Sequence, residues 1–359
     1  MMRVLAGLLL LSFSVGLFLF GAGRSRDMAL SISSAMELGQ WWLWGLIPAW
    51  FVASGGLIRL WQHRTRAARI AHGPTVWLLP RADLKPVDPA KVRLWARMGD
   101  VLPRGEWISW EVGGHQDDVR FALHASETAL EQALIQVRAE WPGTHRRAAE
   151  PDPAHVPEGW HVYWVEVAPR DQDRSIESAG DVVRALLLEV SSLDRGRGWV
   201  QVLARPDRKT PRRLLRRAIQ VRDQTSGSQG IRAIKTAEAR ALEKRAQEPF
   251  WWVTVRCVGI APHAPSARAI AHRLARALIA GFTGNPLRVV RKGRGSRPVV
   301  GRRMGRGGPW AASELAYLAH LMGRDAQALA PRLRTAPARS LPAAPEMRVP
   351  RQARIATIS

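Results

Sequence analysis

The strongest constraint on this chain is an order of short apolar segments and helical segments that runs twice between residues 75 and 290. In the first pass, residues 76–80 (VWLLP) form an apolar run suited to a buried strand, and Val92, Leu94, Trp95 and Met98 recur at helix-compatible spacing over residues 89–98. Residues 107–112 (WISWEV) read as a strand, residues 113–118 as a turn, and residues 119–123 (VRFAL) as the returning strand. Ser126 and Thr128 open a helix carrying Leu130, Leu134 and Val137, Pro142-Gly143 ends it, and a short strand over residues 145–149 closes the set. That order is β-α-β-β-α-β, the split βαβ or ferredoxin-like plan.

A Pro-rich joint at residues 151–157 leads into the second pass. Residues 160–167 (WHVYWVEV) predict a strand, residues 182–190 a helix, and residues 199–203 (WVQVL) a second strand. A charged helical stretch at about 211–248 interrupts the plan, which resumes with the strand at residues 250–258 (FWWVTVRCV). A helix over residues 266–280 places Ile270, Leu274 and Leu278 on one face, and residues 287–290 supply the last strand. The soluble part is therefore expected to be α+β, with two ferredoxin-like (βαββαβ) units at 74–150 and 151–292, the second carrying a helical insertion. Residues 293–359 are expected to form a basic loop, one helix at 309–322, and a Pro/Arg/Ala-rich disordered or extended tail from 331.

The first 73 residues read differently. Residues 4–23 (VLAGLLLLSFSVGLFLFGAG) and 41–58 (WWLWGLIPAWFVASGGLI) are both uncharged, and the first is long enough to cross a bilayer as a helix. Trp41, Trp42, Trp44 and Trp61 suit the two membrane–water interfaces of the second run. Arg59, Arg64, Arg66 and Arg69 follow with no acid before Asp83, a bias that keeps a segment cytoplasmic. The expectation is an N-terminal transmembrane helical hairpin: a multi-pass protein of the inner membrane with its soluble region in the cytoplasm. A cleavable leader ending at Gly21-Ala22-Gly23 is the rival reading of the first run.

Composition excludes several classes. With 46% hydrophobic residues and 16 Trp the chain builds a sizeable core, which rules out a wholly disordered basic protein. The lone Cys257 rules out a disulfide framework or a cysteine-based metal cluster, and its place in an apolar strand makes it a buried small hydrophobe. The net charge of +24 is unevenly spread. Residues 205–245 hold 13 basic and 4 acidic residues, and residues 286–359 hold 15 and 3, so these two stretches account for nearly all the excess. Arg212, Arg213, Arg216 and Arg217, with Arg222 beyond, are expected to form a basic helix face; Arg291, Lys292 and Arg294 lie in the second basic stretch. Such a face meets DNA phosphates, anionic lipid headgroups or an acidic partner, and a solvated helix surface is the bland alternative.

Catalytic signatures are missing. No G-x-x-x-x-G-K-[ST] occurs, and residues 301–308 (GRRMGRGG) lack its Lys-Ser/Thr. His155 and His161 flank the Pro-rich joint without metal-ligand spacing, Ser266 and His263 lack a nucleophile elbow, and Asp117-Asp118 fits a hairpin turn. No catalytic residue, metal or cofactor is assigned.

Six segments, in order, resemble the N-terminal membrane and pre-motor region of the conjugative DNA-transfer coupling ATPases of type IV secretion systems. They are residues 76–81 (VWLLPR), 106–111 (EWISWE), 141–143 (WPG), 199–206 (WVQVLARP), 250–259 (FWWVTVRCVG) and 310–321 (WAASELAYLAHL), together spanning most of 75–322. In that family the region precedes a RecA-like motor, which this sequence lacks. The resemblance implies a non-enzymatic subunit of a DNA-transfer apparatus that docks on a separate motor ATPase or on sister copies of itself. A membrane-tethered, sequence-independent DNA-binding protein and a membrane scaffold of unassigned role are the alternatives.

Overall fold

Alternation along the strands sets the architecture, because residues two apart share one face of a pleated sheet. A computed structural model describes residues 42–84, 88–116, 118–223, 229–323 and 333–336. The first run of elements is α1 (Trp42–Ala71), β1 (Thr75–Leu79), α2 (Asp88–Val101), β2 (Ile108–His115), β3 (Asp118–His124), α3 (Glu127–Glu140) and β4 (His145–Ala148). The second begins with β5 (His161–Pro169), β6 (Glu177–Ser178), α4 (Val182–Ser191), β7 (Arg197–Pro206), α5 (Thr210–Asp223) and α6 (Gln229–Ala246). It continues through β8 (Phe250–Ala261), α7 (Ala264–Ala280), β9 (Phe282–Thr283), β10 (Leu287–Arg294), α8 (Arg297–Val300), β11 (Gly308–Ala311) and α9 (Ala312–Ala316).

The main sheet runs β4-β1-β3-β2-β7-β8-β5-β10, every neighbour antiparallel, with β11 added against β8. Each half has the strand order of a split βαβ unit, fourth-first-third-second. The halves meet edge to edge through β2 and β7, in register from Ile108 opposite Ala204 to Gly114 opposite Gly198. The described residues divide into two units at Thr65–Arg66, and those from Arg66 onward form one compact unit.

One sheet face carries the apolar helices. Trp95 of α2 stands edge-on to Trp110 at 6.0 Å and to Trp251 at 5.2 Å, so aromatic packing crosses from the first half to the second. Buried indoles need partners: Trp95 Nε1 donates to Ala319 O at 2.7 Å, and Trp251 Nε1 donates to Trp95 O at 3.2 Å. Cys257 lies in this core, where burial pushes its thiol up to about 12.

The other face is polar at its centre. Glu111, Gln201, Arg256 and Glu166 stand directly opposite one another across β2, β7, β8 and β5, all fully buried beneath residues 296–306. Arg256 places all five of its donors: on Glu166 Oε1 (2.7 and 3.2 Å), Gln201 Oε1, Pro298 O and Arg303 O. Arg302 reaches down from the covering segment to Glu111 at 2.9 Å and to Asp152 at 2.7 and 2.9 Å. Buried charges persist only when paired and hydrogen-bonded, and this row meets both conditions.

The expected transmembrane hairpin is overturned. No helix among the described residues is long and apolar enough to cross a membrane. Residues 4–23 lie outside the described residues. The run at 41–58 falls in α1 from Trp42 onward, and it is uncharged without being strongly apolar: four Trp, three Gly, a Pro and a Ser dilute it, and Arg59 follows at once. A span needs about 20 predominantly apolar residues. The inner-membrane, multi-pass location falls with it. Trp61 and Arg64 are exposed on α1 with no span to flank; Trp41 and the side chains of Trp42, Trp44 and Arg66 lie outside the described residues.

The last segment also departs from expectation. Instead of one helix over 309–322, β11 pairs Trp310 with Trp251, and only Ala312–Ala316 is helical. Apolar residues on every side of residues 310–322 are buried between α2 and the end of β8, which an amphipathic surface helix would not satisfy.

Candidate nucleic-acid interface

The insertion is a helical hairpin. Leu214 and Ala218 of α5 pack on Ala239 and Leu242 of α6, and Phe250 and Ala311 join them at the sheet. Asp207 fixes where α5 begins: its carboxylate accepts from the Lys209 N–H at 2.9 Å and from the Thr210 hydroxyl at 2.7 Å. The far end of α6 is tied down by Arg245, whose guanidinium donates to both Glu314 oxygens at 2.9 and 3.0 Å. Burial raises the Glu314 carboxyl above its ordinary value despite the pull of Arg245.

Where β7 hands over to α5 the surface folds inward to form a cleft of about 840 Å³. Arg104 lines it from the α2–β2 loop, Arg205 from the end of β7, Arg208 and Lys209 from the connection, and Arg213 and Arg216 from α5. Asp207, already engaged at the helix start, is its one acid. Half-buried Trp252 of β8, opposite Arg205 in register, supplies an aromatic wall. Arg104, Arg205, Arg208, Lys209 and Arg216 make no ion pair among the described residues.

Several other cations of the second half are matched with acids. Arg217 pairs with Asp173, Arg222 with Glu243, and Arg273 with Glu189. Arg213 stands between the two patterns, lining the cleft while lying 3.0 Å from Asp173. The cleft thus gathers unmatched positive charge into a concavity, which focuses the field and draws a polyanion.

The expected single basic face of Arg212, Arg213, Arg216 and Arg217 is divided. Arg213 and Arg217 turn toward Asp173, Arg216 lines the cleft, and Arg212 is exposed away from it. Arg291, Lys292 and Arg294 sit far along the sheet, on edge strand β10. There Arg291 lies 5.2 Å from the Trp164 ring, and Arg294 stands opposite Tyr163. Sequence reading passed over Arg104, Arg205, Arg208, Lys209 and Trp252. The available signal was the run R-P-D-R-K-T at 205–210, a strand end meeting an Asp-x-x-Thr helix start.

Among the described residues no group of three or more His, Cys, Asp or Glu is placed to hold a metal ion. No family model matches the chain. No curated protein matches it either.

Proposed function

We propose that the chain binds nucleic acid through its phosphates, without sequence preference and without catalysing a reaction, as an accessory subunit of a DNA-transfer apparatus. The observation that carries this reading is the cleft at the start of α5, where five unmatched cations surround a half-buried Trp252. Phosphate contacts of Arg and Lys supply sequence-independent affinity, and an aromatic face accepts any base. The resemblance of residues 75–322 to the pre-motor region of coupling ATPases supports the setting, with a separate motor protein hydrolysing ATP.

The test is binding of unrelated DNA sequences to the full chain over a range of salt. Replacing Arg208, Lys209 and Arg216 with Ala is expected to weaken all sequences alike. It should also flatten the plot of log affinity against log salt by about 0.9 for each duplex phosphate the variant no longer neutralises. Arg212→Ala, outside the cleft, should change little. Equal affinity for parent and triple variant would overturn the reading, as would a preference for anionic vesicles over DNA.

A second reading, docking on a motor ATPase, is favoured by the apolar side chains exposed near the hairpin tip. Ile219 of α5 and Ile231 and Ile234 of α6 are 47–70% exposed. Copurification with a DNA-transfer ATPase that is abolished by Ile219→Ser with Ile234→Ser is the expected outcome; retention by the double variant would exclude the tip.

A further inference from the structure

A second cavity, of about 720 Å³, opens where β5 and β10 meet the first turns of α7, and it shares no residue with the basic cleft. It falls within the ~300–1,000 Å³ typical of small-molecule sites. Four aromatic side chains, Trp160, His161, Tyr163 and His272, line it together with Arg268 and Arg294, and no Asp or Glu does. The Tyr163 and His272 rings lie 5.6 Å apart and tilted by 35°. His272 Nε2 is buried without a hydrogen-bond partner among the described residues. Arg268 and Arg294 are exposed and make no ion pair among those residues. Gly295 at the mouth has φ 92°, a backbone that favours glycine, and an added side-chain carbon there would meet only open space.

We propose that this cavity binds a nucleotide unit, its base among Trp160, Tyr163 and His272 and its phosphate between Arg268 and Arg294. Each feature answers to part of that ligand. Flat heteroaromatic rings stack on aromatic side chains, and paired guanidinium groups match phosphate oxygens. The absence of carboxylates removes the repulsion an anion would meet. Desolvation, reinforced by Arg268, Lys292 and Arg276, holds the His272 imidazole below its ordinary value. At neutral pH the ring is therefore largely uncharged and stands beside the base site as a neutral aromatic group. A free mononucleotide and the 5′-phosphorylated end of a strand present the same chemistry.

Equilibrium dialysis of the full chain against labelled AMP tests this, with adenosine and inorganic phosphate as probes of each half. AMP is expected to bind at least about tenfold more tightly than either half-ligand. Arg268→Ala with Arg294→Ala should weaken AMP about tenfold or more and leave adenosine unchanged. Trp160→Ala should weaken both by about fivefold or more. All three side chains are at the surface or half-buried, and unchanged thermal unfolding of the variants checks their folding. Displacement of AMP by a short DNA strand carrying a 5′-phosphate, but not by its 5′-hydroxyl twin, would identify a strand end; failure of both strands to displace it would identify a free nucleotide. No retention of AMP at millimolar concentration would overturn the proposal, as would equal retention by the Arg and Trp variants. Loss of AMP binding in the Arg208, Lys209 and Arg216 variant would also overturn it by placing the nucleotide in the basic cleft, whereas failure of DNA binding alone would leave this cavity's result standing.

Discussion

Arg302 shows how far a single side chain decides the local structure. It is 1% exposed, stands at φ 40° in the left-handed region, and donates to Glu111, Asp152 and the Val300 carbonyl. Desolvation pulls its guanidinium downward, but Glu111 and Asp152 more than offset this and hold it above its ordinary value. Arg302→Met leaves buried Glu111 without its cation and removes the partner of half-buried Asp152, and denaturant titration should show a loss of about 3 kcal/mol. Beside it, His124 is fully buried between Thr75 and the Ile70 carbonyl, its Nε2 2.6 Å from that oxygen. Burial, then the Arg302 charge, lowers its pKa from 6.5 to about 4. Unfolded, the imidazole takes up its proton near pH 6.5, so between there and about 4 the unfolded chain binds the extra proton. Stability is therefore complete above that window and falls as pH drops through it, by up to about 3 kcal/mol. His124→Gln keeps a donor for Ile70 but does not titrate, and should flatten the stability profile between pH 6.5 and 4. An equally steep profile in the variant would assign the slope to other groups.

At the scale of elements, close approach and anchoring matter more than propensity. Gly259 lets α7 cross β8, since an added methyl would overlap the Ala267 carbonyl on the helix backbone. Gly259→Ala should destabilise by about 1–3 kcal/mol or more, read from the denaturation midpoint, because neither backbone has room to yield. Arg245→Ala leaves Glu314 unpaired in the interior and should detach the end of α6, with a loss of about 3 kcal/mol and faster amide exchange in the hairpin. The strands were legible in the sequence because Ile108 to Val112 and Val119 to Leu123 alternate large apolar residues with small or polar ones, and the inserted hairpin because its charge broke the strand pattern. The cleft was not, since the i, i+4 rule groups arginines by helix face and cannot see that Asp173 claims two of them. Nor was the buried polar row, although a lone Glu, Gln, Arg or Glu sits within each of the apolar strands WISWEV, WVQVL, WWVTVRCV and YWVEV. A charge in a strand reads as solvent-facing until the segment that covers it, here residues 296–306, is placed over it. At residues 42–58 the reading of a span failed because counting charges is not the same as measuring apolarity.

Across the whole molecule, β2 and β7 make one sheet of two similar halves, and Trp95 and Trp251 make one core. Residues 66–359 should accordingly unfold in a single transition, with tryptophan fluorescence and far-ultraviolet circular dichroism coinciding. Two separated transitions, one for each half, would show that the β2–β7 seam does not couple them. The seam has a further effect on what the sheet presents outward. Joining at β2 and β7 leaves β4 and β10 as the outermost strands of the row, one displaying exposed Arg146 and Arg147, the other exposed Arg288, Arg291, Lys292 and Arg294. Another molecule that tried to extend the row from either end would bring arginine against arginine along an unpaired backbone. The same residues that raise the net charge thus make the sheet self-limiting: its growth ends at eight strands in line, with like charge standing guard at both margins.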